Sequence, residues 1–257
     1  MLNVLQKPAV IFAPMPKSAS NTLLERLAHT LDACVIKPKC GGGVGHFTIN
    51  PRGLRPALKT LATRKTPLVY QHFLPTDYNR QALQNALNVG DKPKVIVSVR
   101  NIYDTVVSAE RHQWRGYSPL WVSREENEFM TQDNEAANHG YFWHAVILMK
   151  FYAAWAIAHQ TGAWNVKFVT YDEILNNPAA CVDDVLKFYG ITAAVPDNNA
   201  LEKIVGNISP GKTKEETAEL PQKYKDLIKD FAASFKGVDF GILGVTEQTA
   251  HLKKKAG

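Results

Sequence analysis

The sequence predicts an α/β fold, in which a parallel β-sheet is flanked by helices. Two observations lead to this fold class. Short apolar runs rich in β-forming residues alternate with segments whose apolar residues recur at helical spacing, which is the pattern of strands joined by right-handed helical crossovers. One of these runs, residues 94–100, is almost entirely apolar, as central strands of parallel sheets are.

Length and composition favour one domain with an anionic ligand. The 257 residues, 45% hydrophobic and 21% charged, suffice for a single α/β domain over residues 1–257. The net charge of +6 suits an anion or a nucleic acid, but no nucleic-acid-binding motif occurs, so we expect no nucleic acid. Three cysteines outside any metal or redox spacing, and no signal peptide, predict a reducing, cytoplasmic location. The oligomeric state stays open.

The first elements are a strand at residues 10–13 and a helix at residues 21–31. Two prolines end the strand, and small polar residues lie between it and the helix. The first N–H groups of such a helix have no intrahelical partners and carry the positive end of its dipole, so this turn predicts an anion site. Lys17 adds a positive charge. The nucleoside-triphosphate loop pattern GxxxxGK[ST] is absent from the chain.

The remaining elements follow from the same patterns. Strands are predicted at residues 67–72, 94–100 and 166–171, and helices at residues 54–61, 81–87, 104–112, 141–160, 180–189 and 222–233. The glycine-rich residues 41–45 predict a surface loop, and residues 114–140 an irregular region. The helix at residues 141–160 is apolar but contains His144, Lys150 and His159, so we expect a buried helix and no membrane association.

Polar residues follow three of the predicted strands. Lys17 comes after the first, His72 ends the second, and Arg100 ends the third. Because ligands of open parallel sheets bind beyond the carboxyl ends of the strands, we expect these side chains to converge there.

Two segments resemble motifs of the sulfotransferases that use 3′-phosphoadenosine 5′-phosphosulfate (PAPS). Residues 16–23, PKSASNTL, resemble the family's 5′-phosphate loop, PKSGTTWL. Residues 100–108, RNIYDTVVS, resemble the family's 3′-phosphate motif, RNPxDxxVS. The resemblance implies the P-loop-like, three-layer sulfotransferase fold, PAPS as sulfuryl donor and no metal. It implies cofactor-binding roles for Lys17, Ser18, Ala19, Ser20, Asn21 and Thr22 at the 5′-phosphate, and for Arg100 and Ser108 at the 3′-phosphate.

Further segments match the family less closely. Residues 70–75, YQHFLP, are similar to the family's KTHLP segment, which implies that His72 is the catalytic base; His46 and His112 are the alternatives. Lys17 is then the catalytic group that stabilises charge on the leaving oxygen. Residues 168–173 resemble the segment that supplies a tyrosine to the adenine, here Tyr171. Residues 209–214 resemble the last cofactor loop in degenerate form, with Gly211 and Lys212.

Two other functions stay open. A nucleoside or small-molecule kinase of related fold is one, although the chain lacks both GK[ST] and an acidic strand end for magnesium. A non-catalytic nucleotide-binding protein is the other, because Ala19 and Thr22 replace the glycine and tryptophan of the family's loop.

An acidic segment points to the acceptor. Residues 123–139 hold five carboxylates and a single arginine, Arg124, between two segments rich in aromatic residues; the carboxylates are Glu125, Glu126, Glu128, Asp133 and Glu135. A solvated acidic loop is one interpretation. The sharper hypothesis is a lid that attracts a small-molecule acceptor bearing an amine or guanidine group, which is sulfated on a hydroxyl or nitrogen.

Overall fold

The computed structural model describes residues 8–38, 47–56, 65–87, 89–111, 140–205 and 219–245. They form a five-stranded sheet with the order β2-β3-β1-β4-β5, in which all neighbouring strands are parallel. The strands are β1 (Val10–Phe12), β2 (Ala33–Ile36), β3 (Thr66–Tyr70), β4 (Lys94–Val99) and β5 (Asn165–Thr170). The predicted α/β fold with a parallel sheet is confirmed.

Helices surround this sheet. They are α1 (Ser20–Thr30), α2 (Asp77–Leu87), α3 (Ile102–Arg111), α4 (Tyr141–Gln160), α5 (Tyr171–Asn176), α6 (Pro178–Tyr189), α7 (Asn198–Val205) and α8 (Gln222–Ala233), with short 3₁₀ turns at Pro51–Leu54 and Gly241–Leu243.

Alternate residues of the central strands belong to two separate hydrophobic cores. In β1, Ile11 packs into a core with residues of α2, α3, α4 and α8. Its neighbours Val10 and Phe12 pack into a second core with residues of α1, α6 and α7. Because successive side chains of a strand point to opposite faces, these two cores lie on the two faces of the sheet. The sheet is therefore the middle of three layers.

β1 and β4 are joined differently at their two ends. Beyond β1 the chain still bonds to β4, with Ala13 N donating to Ile96 O at 2.8 Å. At the opposite end, the hydroxyl of Tyr189 accepts from Ile11 N at 2.9 Å and lies 2.8 Å from Lys94 O. Burial raises the pKa of this tyrosine, which keeps it protonated as a structural bridge.

The central helix α4 begins and ends where the sequence predicts. By length and composition it resembles a membrane span, but 78% of its most apolar 18-residue window is buried inside the protein. Trp155 is fully buried in it and donates to Phe73 O at 3.1 Å. These contacts are those of a core helix.

Several elements differ from the predictions. The predicted strand at residues 67–72 ends at Tyr70, so His72 lies two residues beyond it. Where the sequence predicts a helix at residues 54–61, the structure has the 3₁₀ turn Pro51–Leu54, and residues 57–61 lie outside the described residues. The predicted glycine-rich loop at residues 41–45 and the irregular region at residues 114–139 also lie outside the described residues. The edge strand β2 and the helices α5 and α7 were not predicted.

Candidate functional site

The loop between β1 and α1 has a strained backbone. Lys17 and Ala19 have φ values of 65° and 57°, in the left-handed region that non-glycine residues seldom adopt. Ala19 directly precedes α1, and no side chain of the described residues caps the helix there. The first N–H groups of α1 therefore combine the positive end of the dipole with unused donor capacity, which is the arrangement that binds anions.

Two cations lie together at this loop. Lys17 is half-buried, and its pKa is lowered by burial and, to a smaller extent, by the charge of Arg100. Within the described part of the chain, no carboxylate forms an ion pair with either side chain. Their mutual repulsion is unfavourable in the protein as described, and an anion bound between them would offset it.

Arg100 is oriented by an aromatic ring and by the loop backbone. Its guanidinium carbon lies 4.1 Å from the centroid of the Tyr171 ring, within the range of a cation–π contact. Its Nη1 donates to Lys17 O at 3.5 Å. Its Nε is buried and has no hydrogen-bond acceptor among the described residues. A half-buried guanidinium with an unused donor is suited to a phosphate, which accepts several hydrogen bonds.

Tyr171 is held by a local sequence motif. It is the first residue of α5, whose N-terminus is closed by a capping box between Thr170 and Glu173. Glu173 N donates to Thr170 Oγ1 at 3.2 Å, and Thr170 N donates to the Glu173 carboxylate at 2.6 Å. Since this box fixes the start of the helix, it also fixes the backbone position of Tyr171, whose ring contacts Arg100. The tyrosine that the sequence assigns to adenine thus contacts the arginine assigned to the 3′-phosphate.

His72 bonds to the same loop from the other side. Its Nδ1 lies 2.8 Å from the carbonyl oxygen of Pro14. A carbonyl only accepts, so Nδ1 carries the proton, and Nε2 of the neutral ring is the nitrogen that can take up a proton. Both His72 and Arg100 therefore contact the backbone of residues 14–17, and the predicted convergence of the three strand ends is observed.

Asn79 holds the segment that carries His72. Its Oδ1 accepts from Ile49 N at 2.8 Å, and its Nδ2 donates to Phe47 O at 3.1 Å and to Leu74 O at 2.9 Å. Leu74 N in turn donates to Phe47 O at 3.2 Å. Nothing in the sequence indicates this role of Asn79, because its partners are backbone groups up to 32 residues away.

Some predicted phosphate donors use their side chains within the protein. Tyr70 donates to Asn21 Oδ1 at 3.0 Å and lies 2.8 Å from Ser20 Oγ. Since the single proton of Tyr70 goes to Asn21, Ser20 is the donor to Tyr70. The Ser18 hydroxyl is fully buried and donates to Met15 O at 2.6 Å. In this arrangement Ser18 and Ser20 offer their backbone N–H groups, rather than their hydroxyls, to an anion.

The remaining predicted site residues lie on α1 and α3 or outside the described residues. Thr22 is half-buried in the first turn of α1, and Ser108 is half-buried on α3, which begins directly after the Arg100 segment. Asn101 caps α3, since its Oδ1 accepts from Tyr103 N at 3.0 Å. Gly211, Lys212, His46, His112 and the acidic residues 123–139 lie outside the described residues, so their predicted roles stay predictions.

Comparisons with known proteins concern the family and the fold of this chain. A sulfotransferase domain family matches residues 12–237. The structure of a sulfotransferase from Alicyclobacillus acidocaldarius superposes with a TM-score of 0.54 at 16% identity, covering 92% of this chain and 94% of that one. The structure of mouse sulfotransferase SULT7A1 complexed with PAP gives a TM-score of 0.45 at 15% identity, covering 82% of this chain and 67% of that one. Comparison with curated protein sequences finds no match.

Proposed function

The chain belongs to the sulfotransferase family, and we propose that it transfers the sulfuryl group of PAPS to a hydroxyl or nitrogen of a small molecule. The observation that supports this proposal best is the loop between β1 and α1, where Lys17 and Arg100 lie together without a carboxylate partner among the described residues. Two neighbouring cations that form no ion pair with a described carboxylate, beside a helix N-terminus, suit a nucleotide that carries phosphates at its 3′ and 5′ positions.

The residues of this site divide between the two ends of that nucleotide. The backbone N–H groups of residues 18–22 and the Lys17 ammonium hold the 5′-phosphate. Arg100 and Ser108 hold the 3′-phosphate, because the buried Arg100 Nε has donor capacity that no described residue uses. Tyr171 orients Arg100 and borders the adenine. Gly211 and Lys212 complete the site on the strength of the family resemblance.

The chemistry assigns different tasks to two side chains. PAPS supplies the sulfuryl group. His72 takes the proton of the acceptor hydroxyl or nitrogen on Nε2, while its Nδ1 stays bonded to Pro14 O and keeps the ring in that tautomer. Lys17 stabilises the negative charge that grows on the departing phosphate oxygen, and its half-buried position strengthens this interaction because the local dielectric is low.

A binding experiment separates this function from a kinase. We expect 3′,5′-adenosine bisphosphate to raise the melting temperature of the protein and ATP with magnesium to raise it less. Stabilisation by ATP with magnesium alone would support the kinase instead. The Arg100→Gln variant is a useful companion, because it should lose the response to the bisphosphate while keeping most of the response to adenosine 5′-phosphate.

A turnover experiment separates an enzyme from a binding protein. With labelled PAPS and a panel of acceptors, the parent should produce sulfated product. Lys17→Ala and His72→Ala should each abolish turnover while the variants keep the parent's circular dichroism spectrum. Full activity in both variants would contradict the assignment, and tight bisphosphate binding without turnover of any acceptor would favour the non-catalytic alternative.

We propose further that the acceptor carries an amine or guanidine group. The support is the local reversal of charge at residues 123–139 in a chain of net charge +6. A variant with Glu125, Glu126 and Glu128 changed to glutamine should lose kcat/KM for cationic acceptors and retain it for neutral ones, most clearly at low salt. An unchanged ratio between the two acceptor classes would leave this segment as a solvated loop.

A further inference from the structure

We propose that Ser98 is a positioning residue for catalysis, because its buried hydroxyl holds the loop that presents Lys17. This inference rests on the proposed catalytic role of Lys17. Ser98 is fully buried in β4, and its Oγ lies 2.7 Å from Ser18 Oγ. Ser18 gives its only hydroxyl proton to Met15 O at 2.6 Å, so Ser98 is the donor to Ser18. The result is a directed chain of hydrogen bonds from β4 through Ser18 to the carbonyl of Met15.

Ser98 also binds the loop through its backbone. Met15 N donates to Ser98 O at 2.9 Å, so Ser98 holds the N–H group of Met15 directly and its carbonyl through Ser18. Both backbone polar groups of Met15, which lies two residues before Lys17, are thereby fixed. The φ of 65° at Lys17 is unfavourable for a lysine and persists only where surrounding contacts determine the backbone. The hydrogen bonds of Ser98 are such contacts.

The surroundings of Ser98 indicate that its hydroxyl stabilises the loop rather than the hydrophobic core. Its neighbours in β4, Val97 and Val99, are fully buried apolar residues. A hydroxyl in such a strand is unfavourable unless it is hydrogen-bonded, and an alanine would fill most of the same space. Directly after the end of β4, Arg100 donates to Lys17 O. β4 and the residue that follows it therefore contact the loop both before and within the left-handed turn.

The test uses three variants, two at Ser98 and one at Tyr189 of α6. Ser98→Ala removes the donor to Ser18, and Ser98→Thr keeps a hydroxyl at the position. Tyr189→Phe is the matched control, since it removes another buried hydroxyl, which bonds to Lys94 O at the far end of β4. Melting temperature, kcat, the KM for PAPS and the Kd for 3′,5′-adenosine bisphosphate are measured for each.

We expect a selective effect on kcat. Ser98→Ala should lower kcat about 10- to 100-fold, as small displacements of catalytic groups do. The Kd for the bisphosphate should rise by a smaller factor than kcat falls, because the charge that Lys17 stabilises on the departing oxygen grows only in the transition state, while Arg100 still binds the 3′-phosphate. Ser98→Thr should recover most of kcat. Tyr189→Phe should lower the melting temperature at least as much as Ser98→Ala while keeping the parent's kcat.

Hydrogen exchange gives a readout that does not depend on turnover. In the ligand-free protein, Ser98→Ala should speed amide exchange in a peptide covering residues 15–22, and Tyr189→Phe should not. The proposal is overturned if Ser98→Ala leaves kcat unchanged, or if both variants change exchange in that peptide equally. A parent that turns over no acceptor would refute the proposed function, and the exchange comparison would still decide whether Ser98 holds the loop.

Discussion

Replacing Ala19 with glycine should stabilise the protein. Ala19 has φ 57° and ψ 26°, a left-handed conformation that costs an L-residue about 1–2 kcal/mol. Glycine adopts it without strain but gains more freedom in the unfolded chain, which offsets about 0.4–1 kcal/mol. The expected net gain is about 0.5–1 kcal/mol, and at about 2–4 °C per kcal/mol for a chain of this size the melting temperature should rise by about 1–4 °C.

Differential scanning calorimetry and urea unfolding measure this gain. The matched control is Ala28→Gly, the same substitution within α1, where the backbone is helical and glycine should destabilise by about 1 kcal/mol. The two variants should therefore shift the melting temperature in opposite directions. If Ala19→Gly lowered stability as Ala28→Gly does, the left-handed geometry before α1 would be refuted, and with it the reason for the glycine in the family's loop.

Three more predictions concern single side chains. Tyr171→Leu should weaken binding of 3′,5′-adenosine bisphosphate about 2- to 30-fold, the range of a cation–π contact with Arg100, and calorimetric titration should find Tyr171→Phe close to the parent. Lys17→Met should stabilise the ligand-free protein at pH 7, because folding lowers the pKa of Lys17 from 10.5. Between the two pKa values the unfolded chain binds more protons than the folded protein, so the charged lysine destabilises the fold most at low pH. Urea unfolding should therefore show that the stability gained by the substitution shrinks as the pH rises towards 10.5. Asn79→Ala should cost about 1–3 kcal/mol in urea unfolding, since it leaves the buried Ile49 N without an acceptor and removes one of the two donors to each of Phe47 O and Leu74 O; a loss below about 1 kcal/mol would contradict that account.

Long elements with a clear pattern could be predicted from the sequence, and short ones could not. The helices at residues 141–160 and 222–233 begin and end as predicted: the first is a long segment that is apolar on nearly all sides, and the second carries its buried residues on one face. α5 was missed, although Thr170 and Glu173 carry the capping-box spacing that announces such a helix. α7 spans only eight residues, too few for a periodic pattern to be distinguished from a loop.

The candidate site also has a part that the sequence predicts and a part that it does not. The convergence of Lys17, His72 and Arg100 follows from a rule about strand ends, so the order of strands and motifs was sufficient to predict it. The contacts that fix these groups join residues that are 49 to 80 positions apart in the chain. Neither the spacing nor the type of the residues indicates these contacts. They include the pairs Ser98–Ser18, Tyr70–Asn21 and Arg100–Tyr171.

Two unfavourable features lie in one loop, and they have different relations to an anion. The left-handed backbone at Ala19 is present whether or not an anion is bound, so relieving it with glycine should raise stability and leave bisphosphate affinity close to the parent's. The repulsion between Lys17 and Arg100 is offset when an anion binds between them, so Lys17→Met should raise the stability of the free protein and lower its affinity for the bisphosphate. The two substitutions stabilise the same loop and should separate in a single titration, because Lys17→Met removes a charge that binds the phosphate, whereas Ala19→Gly leaves both charges and the backbone N–H donors in place.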